Sequence, residues 1–200
     1  LLSELPTDLH SVAELQKRVK QYTGRLRFGL AARAVAGNSA LCRPQLMVSF
    51  SVLERKLPQA LELIREILTQ TRFDDANLLR ELLMQKKEMM QQRVVMAGSR
   101  YALGRALAQY SADAAVEERT DGLSYYQWLK GFAERFDEEC AAVQEFAGRI
   151  FREVCTRGRL TVSETAAKPH AELRELAASF APGKKAADTL RVAVPCTPVK

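Results

Sequence analysis

The chain has 200 residues, 47% hydrophobic and 27% charged, with 30 Lys and Arg against 24 Asp and Glu. That length suits one globular domain with its own core, and no apolar run nears the ~18 residues that cross a bilayer. The net charge of +6 raises an anionic partner, but the basic residues are spread along the chain and none cluster with aromatics as a base-stacking platform would. A solvated surface with an arginine excess accounts for the charge, so neither nucleic acid nor membrane is expected as a partner.

The opening "LLSELPTDLH" carries no basic segment ahead of its apolar residues, which is not the pattern of a secretory signal. The chain starts at Leu1 without methionine and stops at "RVAVPCTPVK"; we expect a piece of a longer protein. Cys42, Cys140, Cys155 and Cys196 form no C-x-x-C pair. Cys140 and Cys155 would stand about 22 Å apart on a continuous helix, too far for a bridge. Reduced, mostly buried thiols are expected. They point to a reducing compartment, the bacterial cytoplasm or a mitochondrial matrix.

In chain order, Ser11–Tyr22 spaces Val12, Leu15, Val19 and Tyr22 as one helical face, ended by Thr23-Gly24. "GRLRFGLAARA" alternates Leu26, Phe28 and Leu30 against polar residues and predicts a strand; "AGNSALCRP" predicts a loop. "QLMVSFSVL" predicts a second strand, with Leu46, Val48, Phe50 and Val52 on one face. Pro58 suits the first turn of a helix whose stripe is Leu57, Leu61, Ile64 and Leu68, with Glu62, Arg65 and Glu66 exposed. A long helix follows, capped by Asp74 or Asp75 and running through Leu78, Leu82, Leu83, Met89, Met90 and Val94 to a stop or kink at Gly98. Residues 99–110 resume the pattern through Tyr101, Leu103 and Leu107, and "SADAAVEERTDG" predicts a polar break. One or two further helices run through Tyr125, Trp128, Leu129, Phe132, Val143, Phe146, Ile150 and Val154. "TRGRLTVSETA" predicts a third strand with Leu160 and Val162 inward, "PHAELRELAASF" a last helix, and "APGKKAADT" a linker. The fold class is therefore α+β, an antiparallel sheet with helices packed on one face. One domain is expected over 1–182, and a linker toward a following domain over 183–200.

Chemistry-bearing patterns are sparse. The histidines, His10 in "HSVAE" and His170 in "HAELRE", match neither H-E-x-x-H nor H-x-x-E-H; both are expected at the surface or at helix ends. There is no G-x-S-x-G elbow around Ser99 and no G-x-x-x-x-G-K-[ST] loop. Gly98 and Gly104 in "AGSRYALGRALAQYS" do not follow a predicted strand, so this stretch is a helix rather than a phosphate loop, with Gly104 allowing close packing. Its polar residues Ser99, Arg100 and Arg105 face solvent or a binding space. The adjacent pairs Asp74/Asp75, Glu117/Glu118 and Glu138/Glu139 lack the i,i+3 or i,i+4 spacing that shares a helix face. Met84, Met89, Met90 and Met96 could line a soft groove, though ordinary helix packing accounts for them.

Several stretches resemble a known family: "LLSELPTDLHSVAELQKRVKQYTGRLRFGLAARA", "QLMVSFSVLERKLPQALELIREILTQTRF", "GSRYALGRALAQYS" with "DGLSYYQWL", and "LTVSETA". They resemble the first domain of the non-catalytic half, the third of four homologous domains, of presequence-protease-like zinc metallopeptidases of the insulinase/pitrilysin superfamily. The resemblance covers about residues 1–165. It implies an insulinase/pitrilysin metallopeptidase-like α+β domain in a two-half clamshell around a closed peptide-digesting chamber. Zinc would be held in the first domain by the inverted histidine motif with a distal glutamate, and substrate-contacting arginine and tyrosine would come from the last domain. Neither set maps onto this chain, so no catalytic or metal residue is assigned. "LLSELPTDLHS" would occupy the place of the zinc helix without its ligands. Ser99, Arg100 and Arg105 are the candidates for facing the chamber.

The resemblance thus implies a chamber-wall domain that limits peptide size by enclosed volume. Its partners would be the catalytic half and a following domain of the same polypeptide, and a peptide substrate. No cofactor is expected in these residues, and zinc is expected in the parent's N-terminal half. Chambers of this kind are described as acidic, whereas this piece is basic. Two other readings are an inactive scaffold of the same fold, like the core subunits of respiratory complexes, and a basic nucleic-acid-binding module.

Overall fold

A computed structural model describes residues 2–183 and 189–193. They form an α+β fold with a three-stranded antiparallel sheet, strand order β1-β2-β3. The elements are α1 (Val12–Tyr22), β1 (Arg25–Val35), β2 (Asn38–Ser51), α2 (Leu57–Gln70), α3 (Ala76–Met96), α4 (Gly98–Leu107), α5 (Ala112–Asp121), α6 (Leu123–Glu134), α7 (Phe136–Val154), α8 (Glu172–Ser179) and β3 (Leu190–Arg191). They divide into two compact units.

The first unit comprises residues 1–28, 48–76 and 140–186. α1 starts with a capping box: Ser11 Oγ accepts from the Glu14 amide at 3.4 Å, and Glu14 Oε2 accepts from the Ser11 amide at 3.1 Å. It ends at Thr23, whose amide and hydroxyl both donate to the Val19 carbonyl. Gly24 was expected as a left-handed helix stop, but Gly37 is the only described residue with positive φ. What Gly24 provides is close approach: its amide donates to the Ser51 carbonyl at 2.9 Å, and a Cβ there would meet Ser51 Oγ at 3.2 Å. α2 carries the core. Ile64 and Leu68 pack with Leu26, Phe28, Val48 and Phe50 of the hairpin and with Leu160, Leu176 and Phe180. Leu63 and Ile67 pack with Leu15 of α1. The α2 stripe is thus wider than expected and adds Ala60, Leu63 and Ile67.

The second unit comprises residues 29–47, 77–139 and 187–200. The hairpin turns at Ala36-Gly37, with Gly37 at φ 75°. β2 begins at Asn38, so most of the predicted loop "AGNSALCRP" is strand. Pro44, read as a loop signal, is tolerated because pairing with β3 ends at Cys42, two residues earlier. Leu30, predicted inward, is 67% exposed. The polar break at 111–122 is instead α5. Ala108, Ala112 and Ala115 form a small-residue stripe that packs closely on Cys42 and Val192, which a pattern search for large apolar residues passes over. Tyr101 and Ala108, rather than Leu103 and Leu107, are the buried positions of the α4 region. Met90, Tyr101 and Leu129 form the second cluster of this unit.

The third strand is not where alternation put it. "TRGRLTVSETA" gives a 3-10 turn at Arg157–Arg159 followed by irregular backbone. Leu160 reaches the core, but Val162 is exposed. Alternation creates a face without supplying a ladder partner; among the described residues, β2 pairs instead with Leu190 and Arg191. On α7 the buried positions are Cys140 and Phe151, while Phe146 and Ile150 are exposed. Phe151 meets Phe73 edge-on at 5.5 Å. The expected linker 183–200 lies largely outside the described residues, as does Cys196.

Candidate functional site

The most developed polar arrangement lies in the first unit, where the segment before α1 crosses α2. The backbone fixes it first. Thr7 and Thr71 form an antiparallel bridge. The Asp8 amide donates to the Gln70 carbonyl at 3.1 Å and the Arg72 amide to the Pro6 carbonyl at 2.9 Å. Thr7 Oγ1 accepts from the His10 and Leu9 amides at 3.0 and 3.3 Å, which curls the chain toward the Ser11 cap.

That curl aims two side chains at one carboxylate. Glu66, expected on the solvated face of α2, is 7% exposed. Its Oε1 accepts from Thr7 Oγ1 and lies 2.8 Å from His10 Nδ1. The carboxylate oxygen accepts, so Nδ1 is the protonated ring nitrogen. A buried carboxylate is tolerable only when donors surround it, and Thr7 and His10 supply them. The two groups line a cleft of about 320 Å³ with Leu9, Arg18, Glu62 and Gln70. Gln70 Oε1 is buried there without a hydrogen-bond partner.

Nothing in the sequence signalled Glu66 beyond its place between Ile64 and Ile67 in a broad apolar stripe. Its partner is 56 residues away. His10 does stand at a helix end, as expected, but its ring is turned inward. His170 also precedes a helix, α8, and is likewise turned inward. Its Nδ1 bonds Glu164, which pushes the imidazole pKa above its ordinary value.

Does this site fit a catalytic zinc? A hydrolytic zinc ion needs about three protein ligands. Among the described residues no three His, Cys, Asp or Glu side chains converge in that way. His10 and Glu66 hold each other and make two groups, not three. The residues present do not fit the ion, and no step is derived through one.

Ser99, Arg100 and Arg105 are all exposed on α4. Gly104, expected to permit close packing, has nothing within 4 Å of the position a Cβ would take. Gly122 is the tight glycine: a Cβ would lie 2.6 Å from the Cα and carbonyl oxygen of Glu118. Buried Glu118 there accepts from the Leu123 and Ser124 amides at 3.3 and 3.0 Å and from Ser124 Oγ at 3.1 Å. It caps α6 from the preceding helix, which gives "Gly-Leu-Ser-Tyr" a physical meaning. Of the four methionines, Met90 is fully buried while Met84, Met89 and Met96 are exposed.

The α+β architecture and these landmarks define a peptidase-associated domain. The chain belongs to the peptidase-associated family that goes with the metallopeptidases of family 16, subfamily C, and the family model matches residues 1–132. It is 22% identical over 163 residues to Protein HypA of Clostridium perfringens (strain 13 / Type A), covering 82% of this chain and 16% of that protein. It is 30% identical over 92 residues to the mitochondrial presequence protease of Danio rerio, covering 46% of this chain and 9% of the relative. Against the mitochondrial presequence protease of Drosophila melanogaster it is 20% identical over 167 residues, covering 82% and 16%. The chain thus spans about a sixth of the length of these relatives, or less.

Proposed function

We propose that this chain is a non-catalytic domain of a presequence-protease-like zinc metallopeptidase and forms part of the wall of an enclosed peptide-degrading chamber. The observation that carries the reading is the family match over residues 1–132, together with relatives called presequence protease that are about six times longer or more. The geometry of the first unit is compatible with it. The histidine near the N-terminal end is engaged with Glu66 and stabilises the junction with α2, a structural task. Zinc belongs on this reading to the parent's N-terminal half, and the compartment is the bacterial cytoplasm or a mitochondrial matrix. The other parts of the same polypeptide are the partners, and exposed Ser99, Arg100 and Arg105 are the residues proposed to face peptide.

A length series tests the wall. The full-length parent degrades unfolded peptides up to a sharp length limit and leaves folded proteins intact. Degradation without a length limit contradicts an enclosed chamber. The scaffold reading is separated by the parent sequence upstream: an inverted zinc motif supports the peptidase, and a parent without one supports the scaffold.

A further inference from the structure

One cluster in the first unit has no part in that reading. The irregular segment between the Arg157–Arg159 turn and α8 folds back on itself at His170. Glu164 Oε2 accepts from the His170 amide at 3.2 Å, and Glu164 Oε1 bonds His170 Nδ1. The other ring nitrogen, Nε2, is buried and has no hydrogen-bond partner. Its nearest charged neighbour is Glu54 Oε1 at 3.7 Å, on the 3-10 turn Glu54–Lys56 that leads into α2. The same Glu54 oxygen is 3.2 Å from Lys168 Nζ. The imidazole is only 16% exposed, although Glu54 and Lys168 are largely in solvent.

Two ring states behave differently here. With Nδ1 protonated toward Glu164, a neutral ring presents the bare lone pair of Nε2 to a carboxylate, which is repulsive. An imidazolium presents N–H to both carboxylates and bridges the segment to the turn before α2. We propose that His170 is a proton-operated clasp: protonated, it fastens residues 160–171 to the Glu54–Lys56 turn through Glu164 and Glu54, and deprotonated, it releases them. The charged groups that face it are Glu164 and Lys168 from its own segment, Glu54 from the turn and Glu172 from α8. Three carboxylates outweigh one ammonium, so the surroundings favour the imidazolium. Released, the segment keeps only the Lys168–Glu54 pair, an exposed contact of little strength.

The sign follows from linkage. The hydrogen bond to Glu164, then the nearby carboxylates, raise the folded-state pKa of His170 above 6.5. The fastening is therefore fully present below about pH 6.5 and is lost as pH rises through the folded-state value. The device operates on the neutral-to-alkaline side.

The experiment is an NMR titration of the 200-residue chain from pH 5.5 to 9, with amide hydrogen exchange of residues 160–171 corrected for intrinsic rates. The chain has two histidines, and His170→Gln assigns the ring signals by difference. The expected result is that segment exchange accelerates at least about tenfold as His170 deprotonates, since one unit of pKa is a factor of ten. Glu54→Gln lowers the His170 midpoint, and His170→Gln gives fast exchange at every pH. Equal protection of 160–171 above and below the His170 midpoint overturns the proposal, as does a Glu54→Gln variant with an unmoved midpoint. The wild-type titration decides the matter even where a variant folds poorly, and its outcome does not depend on whether the parent is a peptidase.

Discussion

His10 Nδ1 meets Glu66 Oε1 at 2.8 Å across 56 residues of sequence, and Thr7 donates to the same oxygen. The contact joins the segment before α1 to α2, the helix that carries most of the first unit's core. Removing the carboxylate leaves two inward donors unsatisfied. Glu66→Ala is expected to cost about 2–3 kcal/mol, and Thr7→Val or His10→Ala about 1–2 kcal/mol each. Urea unfolding at pH 7 measures this as a lowered midpoint with unchanged slope. A Glu66→Ala midpoint equal to wild type would show that the contact is unimportant.

Gly122 and Gly104 should respond oppositely to alanine. At Gly122 the new Cβ meets Glu118 backbone at 2.6 Å, so the turn must shift and the α6 cap loosens. We expect a loss of about 2 kcal/mol or more. At Gly104, inside α4 with open space around it, alanine is expected to stabilise by about 0.5–1 kcal/mol. Thermal melts of the two variants check the pair.

Met90→Ala should cost about 2–5 kcal/mol because the side chain is fully enclosed with Tyr101 and Leu129. Met89→Ala, one residue away on the exposed side of α3, should stay within about 0.5 kcal/mol of wild type. Comparable losses at both positions would contradict the packing of α3.

These contrasts mark what was legible in the sequence. The hairpin, α1, α2 and the helix pair around Gly98 follow from periodicity because their apolar residues are large and local. α5 did not, since it buries alanines and turns Glu118 inward as a cap. Nor did β3, because two residues pair only where β2 offers an open edge. Leu160 and Val162 alternate as a strand would, yet no partner strand lies beside them. The polar site was least visible: Glu66 resembles its exposed neighbours Glu62 and Arg65 until the segment at Thr7–His10 folds over it. The family resemblance, by contrast, was carried by local stretches such as "DGLSYYQWL", and the family match bears it out.

Thiol chemistry gives a further test. Cys42, Cys140 and Cys155 carry thiols rather than disulfides. Burial pushes the Cys155 thiol up to about 11 and also raises Cys42. At pH 8 the Cys155 thiolate population is about a hundredfold below that of an ordinary thiol of pKa 9. A Cys196→Ser variant should therefore show no fast reaction with Ellman's reagent until denaturant is added. A rapid full equivalent in native buffer would contradict the burial of these residues.

The central claim concerns chemistry that this domain leaves to its parent. The most direct measurement is zinc content by plasma mass spectrometry, with peptide cleavage in the same preparations, for the 200-residue chain and the full-length parent. The account predicts no stoichiometric zinc and no cleavage for the chain alone, and about one zinc per molecule with activity for the parent. Tight stoichiometric zinc with peptide cleavage by the isolated chain would contradict it.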